Sequence, residues 1–199
     1  TEDLEQTVQN LEKVLEYPLS TGGEHKMFGT CNRLFRLSDV YLEVIAINPL
    51  ATSFQQPRWF DLDNFSGKSR IITWIAKTDD ILALLPSIWD NPGEIKKLSR
   101  DELKWDFTVP IEGKMPMDGA APALINWGST RHPTLIMDDH NCRLEHFIVN
   151  TPFAGDLAPI LKKILFYHQP LTLKILGIYN SLCIEILAVD SLYLLIEKD

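Results

Sequence analysis

Two runs of strand-forming residues close to the start of the chain constrain its fold more than any other feature. The runs 32–37 and 40–47 are separated only by Ser38 and Asp39, which predicts a β-hairpin closed by a two-residue turn. This register places Glu43 in the middle of an otherwise apolar strand. The expected cross-strand pairs are Leu37 with Val40, Arg36 with Tyr41, and Leu34 with Glu43.

Side chains alternate between the two faces of a strand, so the hairpin has one apolar face and one mixed face. The apolar face is predicted to pack in the core. The mixed face combines apolar walls with a few polar groups, which is typical of small-molecule pockets. A carboxylate on that face requires a hydrogen-bonding partner, a metal ion or a proton. The mixed face carries Asn32, Leu34, Arg36, Tyr41, Glu43 and Ile45.

Composition narrows the class of protein. A chain of 199 residues with 45% hydrophobic content can bury a core and form one or two small domains. Its net charge of −8 argues against nucleic-acid binding, which requires clustered Lys and Arg. No apolar stretch is long enough to span a membrane, and no signal peptide is recognised. The three cysteines form no CxxC pattern, so we expect reduced thiols and a cytoplasmic protein.

A strand–helix–strands unit recurs along the sequence. The helices are predicted from apolar spacing at 4–15, 81–88 and 156–165, the second capped by Thr78-Asp79-Asp80. Strands precede the second and third helices, and pairs of strands follow each helix. The predicted class is α+β with mostly antiparallel sheet. The remaining predicted strands are 71–76, 103–109, 122–128, 142–149, and 173–179 and 182–189, which form a hairpin at Asn180-Ser181.

Alignment of the three units relates polar residues on their strands. Thr73 and His146 fall at equivalent places on the first strands of the second and third units. Glu43 and Glu185 likewise align on the strands YLEVIA and CIEILA. The first-strand counterpart in the first unit is expected about four residues before Thr1, outside this chain.

An ordered set of segments runs from the N-terminus to about residue 150: GGEHKMFGTCNRLFRL, YLEVIAINP, PRWFDLD, TWIAKTDDI, LSRDELKWDFTVP, PALINWG and the HP pair at 132–133. This set resembles the glyoxalase-like domain family of the vicinal oxygen chelate superfamily. The resemblance implies βαβββ modules, two of which form a curved, mostly antiparallel sheet around a concave site, followed by a degenerate third module. The implied division is residues 1–137, containing modules 1–50 and 68–130, and residues 138–199.

The resemblance also implies a divalent metal, with Zn, Mn, Mg, Fe or Ni as candidates, held by the first and last strands of each module. Glu43 falls on one such position, Thr73 on a second and Asn126 on a third. Thr is a poor zinc ligand, and a catalytic zinc uses three protein ligands, so this donor set departs from the metal-enzyme pattern. A Mg²⁺ or Mn²⁺ ion that keeps several waters requires fewer carboxylates.

Glu43 and His25 are the candidate catalytic residues. Glu43 could serve as metal ligand or general base, because a partly desolvated carboxylate is more basic. Alternatively, it forms a structural ion pair with Arg36 or Arg58. His25 follows two glycines that could bring its imidazole over a pocket rim. The alternative is an exposed loop histidine.

Other residues are candidates for substrate binding, each with a structural alternative. Asn32 could orient a carbonyl or pair with backbone groups. Arg58 and Trp59 could offer a cation and a flat wall, or a surface brace and a core aromatic. Arg100 could reach a ligand anion, although Ser99-x-x-Glu102 also reads as a capping box at the start of a short helical turn. The full set is Asn32, Arg36, Tyr41, Arg58, Trp59, Thr73, Arg100 and Asn126.

Two further sets of residues are considered, one as a possible second metal site and one as core. His146 and Glu185 could form a second metal pair, or they stabilise the C-terminal unit. Trp74, Trp105 and Trp127 lie on predicted strands and are expected in the core.

Three functions remain open from the sequence. The first is a metal-dependent lyase, isomerase or dioxygenase acting through Glu43 on a small molecule. The second is a metal-free protein that binds a small molecule between Arg36, Tyr41, Arg58 and the tryptophans. The third is pairing of the C-terminal sheet to form a homodimer.

Overall fold

A computed structural model describes residues 1–88 and 93–164 of the protein, and beyond these the strands 172–176, 181–187 and 193–196. The described residues form an α+β structure in which three β-sheets are mostly antiparallel, as the sequence predicts.

The first helix begins and ends where its capping residues require. The Asp3 side chain accepts a hydrogen bond from the Gln6 backbone N–H, and Glu16 ends the helix in the left-handed conformation. Its apolar positions recur at helical spacing, and Leu4, Val8 and Leu15 are buried. The helix is α1 (Leu4–Leu15), and the sheet after it comprises β1 (Gly23–His25), β2 (Thr30–Leu37) and β3 (Val40–Ile47), in that order.

The predicted hairpin register is confirmed. β2 and β3 are antiparallel, with Leu37 opposite Val40 and Leu34 opposite Glu43. Their apolar face packs with α1 in one core cluster, in which Phe35 is 1% exposed. Strand β1 is not predicted from the sequence, because Gly22 and Gly23 indicate a loop. The structure pairs Gly23 with Asn32 at the edge of β2 instead.

The second sheet has a strand, a helix and then three strands. Its first strand lies beside its last, and these two run parallel, whereas the other neighbours are antiparallel. The predicted helix is shorter than expected because a 3₁₀ turn at Leu85–Ser87 follows it, although Asp80 caps it as predicted. The elements are β4 (Ile75–Lys77), α2 (Ile81–Leu84), β5 (Glu94–Arg100), β6 (Leu103–Val109) and β7 (Ala123–Asn126).

Strand β5 corrects one interpretation of the sequence. Ser99 and Arg100 are not in a capping box: both lie in β5, which pairs with β6 across a tight turn. The two-residue reversal at Asp101-Glu102 places Arg100 opposite Leu103. Asp101 adopts a positive φ of 52°, as a turn residue can. The sheet hydrogen bonds therefore outweigh the local capping pattern.

The third sheet differs in topology from its prediction. Its elements are β8 (Arg143–Asn150), α3 (Ala154–Ile164), β9 (Thr172–Leu176), β10 (Ser181–Leu187) and β11 (Tyr193–Ile196). Strand β8 lies between β9, with which it is parallel, and β10, with which it is antiparallel. The predicted hairpin between the last two apolar runs is therefore wrong, because β8 separates them; the expected turn residue Asn180 lies outside the described residues. Helix α3 crosses over between β8 and β9, so these strands point the same way.

Two apolar clusters hold the described residues together. One lies on the helix-facing sides of the sheets and joins α1, α2 and α3 to β2, β3, β7 and β8. The other, the intersheet cluster, lies between the first two sheets and is rich in aromatic rings. Its buried members are Phe28, Ile45, Trp59, Phe60, Leu62, Leu98, Trp105, Phe107, Val109, Ala123, Ile125 and Trp127.

None of the helices in the described part of the chain has the length and apolar character needed to cross a bilayer.

Candidate functional site

A cleft lies between the first two sheets, beside the intersheet cluster. Its interior cavity measures about 30 Å³, and about 410 Å³ when the open solvent at its mouth is counted. Strand alternation explains its lining, since residues two apart on β2, β3, β6 and β7 point to the same face. The lining comprises His25, Asn32, Leu34, Tyr41, Glu43, Trp59, Phe60, Ile75, Arg100, Leu103, Trp105, Phe107, Ile125, Trp127 and Pro133.

The structure brings six of the predicted site residues together in this cleft. Glu43 projects into it, as the hairpin register requires, with Tyr41 on the same strand and Asn32 on the neighbouring strand. The interpretation of His25 as an exposed loop residue is wrong: the side chain is buried on β1. The six residues are His25, Asn32, Tyr41, Glu43, Trp59 and Arg100.

A chain of hydrogen bonds connects the charged groups of the cleft. The Arg100 Nη1–H donates to Asn32 Oδ1 at 2.9 Å, and the Asn32 Nδ2–H donates to Glu43 Oε1 at 2.6 Å. Asn32 Oδ1 also accepts from the backbone N–H of Gly23 at 3.0 Å. Asn32 is 1% exposed, so its amide is held by neighbours on both sides. It separates the guanidinium of Arg100 from the carboxyl of Glu43 and links them electrostatically.

The environment of Glu43 favours its protonated form. Burial raises the pKa of the Glu43 carboxyl, and the hydrogen bond from Asn32 and the charge of Arg100 oppose this rise only in part. The pKa of Tyr41 is also raised, first by burial and then by the negative charge of Glu43. The alternative interpretation of Glu43, a structural ion pair with Arg36 or Arg58, is wrong, because these guanidinium groups pair with Asp139 and Asp63.

His25 is an uncharged imidazole in an aromatic setting. Its ring packs edge-on against Trp59, with the centroids 4.8 Å apart, and Nδ1 lies 3.2 Å from Thr30 Oγ1. Burial and the positive charge of Arg100 lower the pKa of His25 from 6.5 to about 3. Trp59 Nε1–H donates to the same Thr30 oxygen at 3.3 Å, which leaves the hydroxyl proton of Thr30 available to Nδ1.

Two predicted arginines have structural partners outside the cleft. Arg36 pairs with Asp139 at 3.0 Å and donates to the Ser38 carbonyl at 2.9 Å. The buried Arg58 forms an ion pair with Asp63. Its Nε–H donates to the Phe28 carbonyl at 3.1 Å, and its guanidinium lies over the Phe54 ring. These arginines connect loops to the sheets.

Two positions that the resemblance assigns to a metal also lie outside the lining. Thr73 precedes β4, and its hydroxyl donates to the Trp74 carbonyl at 3.4 Å. Asn126 alternates with the lining residues on β7. Its amide donates to the Asp79 carbonyl and accepts from the Gly128 N–H, both at 2.7 Å.

The donors that the described residues bring into the cleft do not by themselves form a divalent-metal site, and the first-strand position expected before Thr1 lies outside this chain. The lining offers one carboxyl group and one imidazole, and the cation of Arg100 is linked through one amide to that carboxyl. Within residues 1–88, 93–164 and the described C-terminal strands, no group of three His, Cys, Asp or Glu side chains could hold a metal. His146 and Glu185 are cross-strand neighbours on β8 and β10, and a second metal pair there stays a prediction.

The sequence reasoning missed much of the aromatic wall. Trp74 is core, as expected, and its Nε1–H donates to the Ala120 carbonyl at 2.8 Å. Trp105 and Trp127 are buried as predicted and also line the cleft, with ring centroids 5.3 Å apart. The alternation of Leu103, Trp105 and Phe107 could have indicated one shared face. It could not have shown that this face meets β2 and β3.

The fold and the cleft together define an α+β protein with a concave site between two sheets. Residues 1–165 match the glyoxalase-like domain family, and the chain belongs to that family. No curated protein matches it. It is similar to a hypothetical protein from Staphylococcus aureus known from a crystal structure, with TM-score 0.52 and 16% identity over 90% of this chain and 76% of that one. At that identity, the likeness shows the fold alone.

Proposed function

We propose that this protein binds a small organic molecule in the cleft without a metal ion. The composition of the lining supports this proposal, since apolar walls surround a few polar groups. Asn32, Glu43 and Arg100 supply an amide, a carboxyl group and a cation, which can fix the orientation of a ligand. Tyr41 and the tryptophans supply contact area.

A protein-detected NMR screen on the ¹⁵N-labelled full chain tests this proposal. Small aromatic and conjugated fragments, neutral and charged, are added with and without EDTA, and the tryptophan indole N–H signals are followed. We expect binding fragments to shift the signals of Trp59, Trp105 and Trp127, with EDTA having no effect. Trp74 is an internal control because its ring packs against the apolar cluster on the helix-facing sides of the sheets and does not line the cleft. A screen in which no fragment moves the three cleft signals contradicts the proposal.

The metal-dependent alternative is tested on the same sample. Equilibrium dialysis against Zn²⁺, Mn²⁺ or Mg²⁺, followed by elemental analysis, is expected to leave less than one ion per chain. One tightly retained ion that is lost in Glu43→Gln would show that the cleft is a metal site after all.

The raised pKa of Glu43 favours a second candidate function, an acid–base enzyme of the lyase or isomerase type. A carboxylate with a raised pKa is a stronger proton acceptor than an ordinary one. Glu43 would take a proton from a carbon next to a carbonyl of the bound molecule, and return it after rearrangement. Arg100 would stabilise the negative charge that develops on the ligand.

Hydrogen exchange tests the acid–base role. Phenylpyruvate, an aromatic carboxylate with an acidic CH₂ group, is incubated in D₂O, and loss of the CH₂ proton signal is followed by NMR. We expect the protein to accelerate exchange and Glu43→Gln to abolish the acceleration. Equal rates with the two proteins would leave the binding function and remove the catalytic one.

The domain division at 137/138 and the homodimer are also proposals. Support for a homodimer comes from the strands of the C-terminal sheet, whose outer members β9 and β11 each pair on one side within the described residues. Sedimentation of the full chain would give a dimer mass if that sheet is an interface.

A further inference from the structure

Arg100 lies where the first two sheets contact each other. It ends β5, yet its side chain passes directly over the backbone of β1. A Cβ atom at Gly23 would lie 2.5 Å from Arg100 Cδ and 2.9 Å from its Nε, so the missing side chain of Gly23 makes room for the arginine. The Arg100 side chain is 12% exposed. The packing therefore fixes where the guanidinium points.

The guanidinium of Arg100 has unused hydrogen-bonding capacity. Nη1 donates to Asn32, but Nε is buried and has no hydrogen-bond partner, the one such side-chain atom among the described residues. The carboxylate of Asp101 lies 3.9 Å from Nε, which is too long for a hydrogen bond, and its side chain is 79% exposed. A buried N–H without a partner costs free energy, so a ligand acceptor here would gain strongly.

Resting on the small-molecule function proposed above, we infer that the cleft selects planar organic carboxylates, with Arg100 binding the ligand carboxylate and the aromatic rings binding its flat body. A guanidinium presents two parallel N–H groups that match the two oxygens of a carboxylate. The rings of Trp105 and Trp127 lie in the same lining and provide apolar contact. Trp59 also lines the cleft, but its ring is stacked on Phe28 and Phe60.

The other charges of the cleft favour a carboxylate over a phosphate. Glu43 would repel an anion when ionised, but burial raises its pKa, and the amide of Asn32 stands between it and Arg100. His25 is neutral and adds no second cation. A single buried cation can balance one negative charge, whereas a phosphate dianion would leave one charge uncompensated.

Benzoate and its neutral isostere benzamide test the inference. Each is titrated into the full chain at neutral pH, and affinity is taken from the indole shifts of the three cleft tryptophans. We expect benzoate to bind at least about tenfold more tightly than benzamide, since hydrogen bonds to a charged group are the strong ones. Arg100→Gln should abolish this preference, and Arg100→Lys should keep a weaker one because lysine lacks the two-pronged geometry.

A matched control is Arg143→Gln, which removes an exposed arginine whose partner is Glu145 on the same strand. It should leave the preference for benzoate unchanged. A preference that survives in Arg100→Gln overturns the inference.

Equal binding of benzoate and benzamide by the unmodified chain also overturns the inference, but leaves the small-molecule function standing. The same holds if neutral fragments from the screen bind and benzoate does not. If neither benzoate nor any fragment shifts the cleft signals, both proposals fall together.

Discussion

The buried imidazole of His25 predicts that acid destabilises the protein in a defined pH range. In the folded chain its pKa is lowered from 6.5 to about 3, mainly by burial. The unfolded chain therefore binds a proton at this residue between those values, while the folded chain does not. Because the unfolded chain binds more protons than the folded chain in that range, the free energy of unfolding rises with pH there. The stability that the neutral imidazole contributes is lost progressively as the pH falls below 6.5.

The size of the effect follows from the two pKa values. Between about pH 7 and pH 5 this one residue should lower the free energy of unfolding by about 2 kcal/mol. His25→Gln removes the titration and keeps a polar group beside Thr30 Oγ1. The free energies of unfolding of wild type and variant should therefore converge as the pH falls from 7 to 5.

Urea unfolding at several pH values, followed by tryptophan fluorescence, measures both curves. The difference between wild type and variant isolates His25, because other titrating groups are present in both proteins. An NMR titration of the His25 ring protons in the folded wild-type chain gives an independent check if the variant folds poorly. Parallel stability curves, or a His25 midpoint near pH 6.5 in the folded protein, would refute the reasoning.

Three further predictions concern the cleft and its frame. Glu43→Gln should become more stable relative to wild type as the pH rises from 4.5 to 8, because the fold disfavours the ionised carboxyl of the wild type. The same difference between the urea midpoints of the two proteins at both pH values would contradict this. Gly23→Ala should displace Arg100 and reduce the preference for benzoate over benzamide several-fold, whereas Gly155→Ala, whose added Cβ meets no atom within 4 Å, should keep it. Asp3→Ala should cost about 1 kcal/mol through loss of the α1 cap, measured by thermal unfolding, and an unchanged melting temperature would count against the cap.

The part of the site on β2 and β3 was predictable from the sequence. A two-residue turn and period-2 alternation are local properties, and together they specify which side chains share the face of Glu43. Asn32, Tyr41 and Glu43 do line the cleft. Arg36 shares their strand pattern but sits beside the turn, where Asp139 and backbone carbonyls bind it. The alternation of side chains along a strand indicates which residues share a face of the sheet. It does not indicate which of them lie within the pocket on that face.

The part of the site contributed by the second sheet was not predictable with the same certainty. Local chemistry favoured a helical cap around Ser99, yet pairing with β6 makes this segment a strand. Thr73 and Asn126 show the opposite case: a family pattern points to the site, but their hydrogen bonds are with nearby backbone groups.

The sequence by itself determined the α+β class, the hairpin register and the position of a carboxyl group on a mixed face, because each depends on residues close together in the chain. The tertiary structure alone determines which cation is linked to that carboxyl group through Asn32. Arg100 is 68 residues from Asn32 in sequence, and it arrives through the packing of β5 against β1 over a glycine. Such a contact depends on how two sheets meet, which no local spacing of residues encodes.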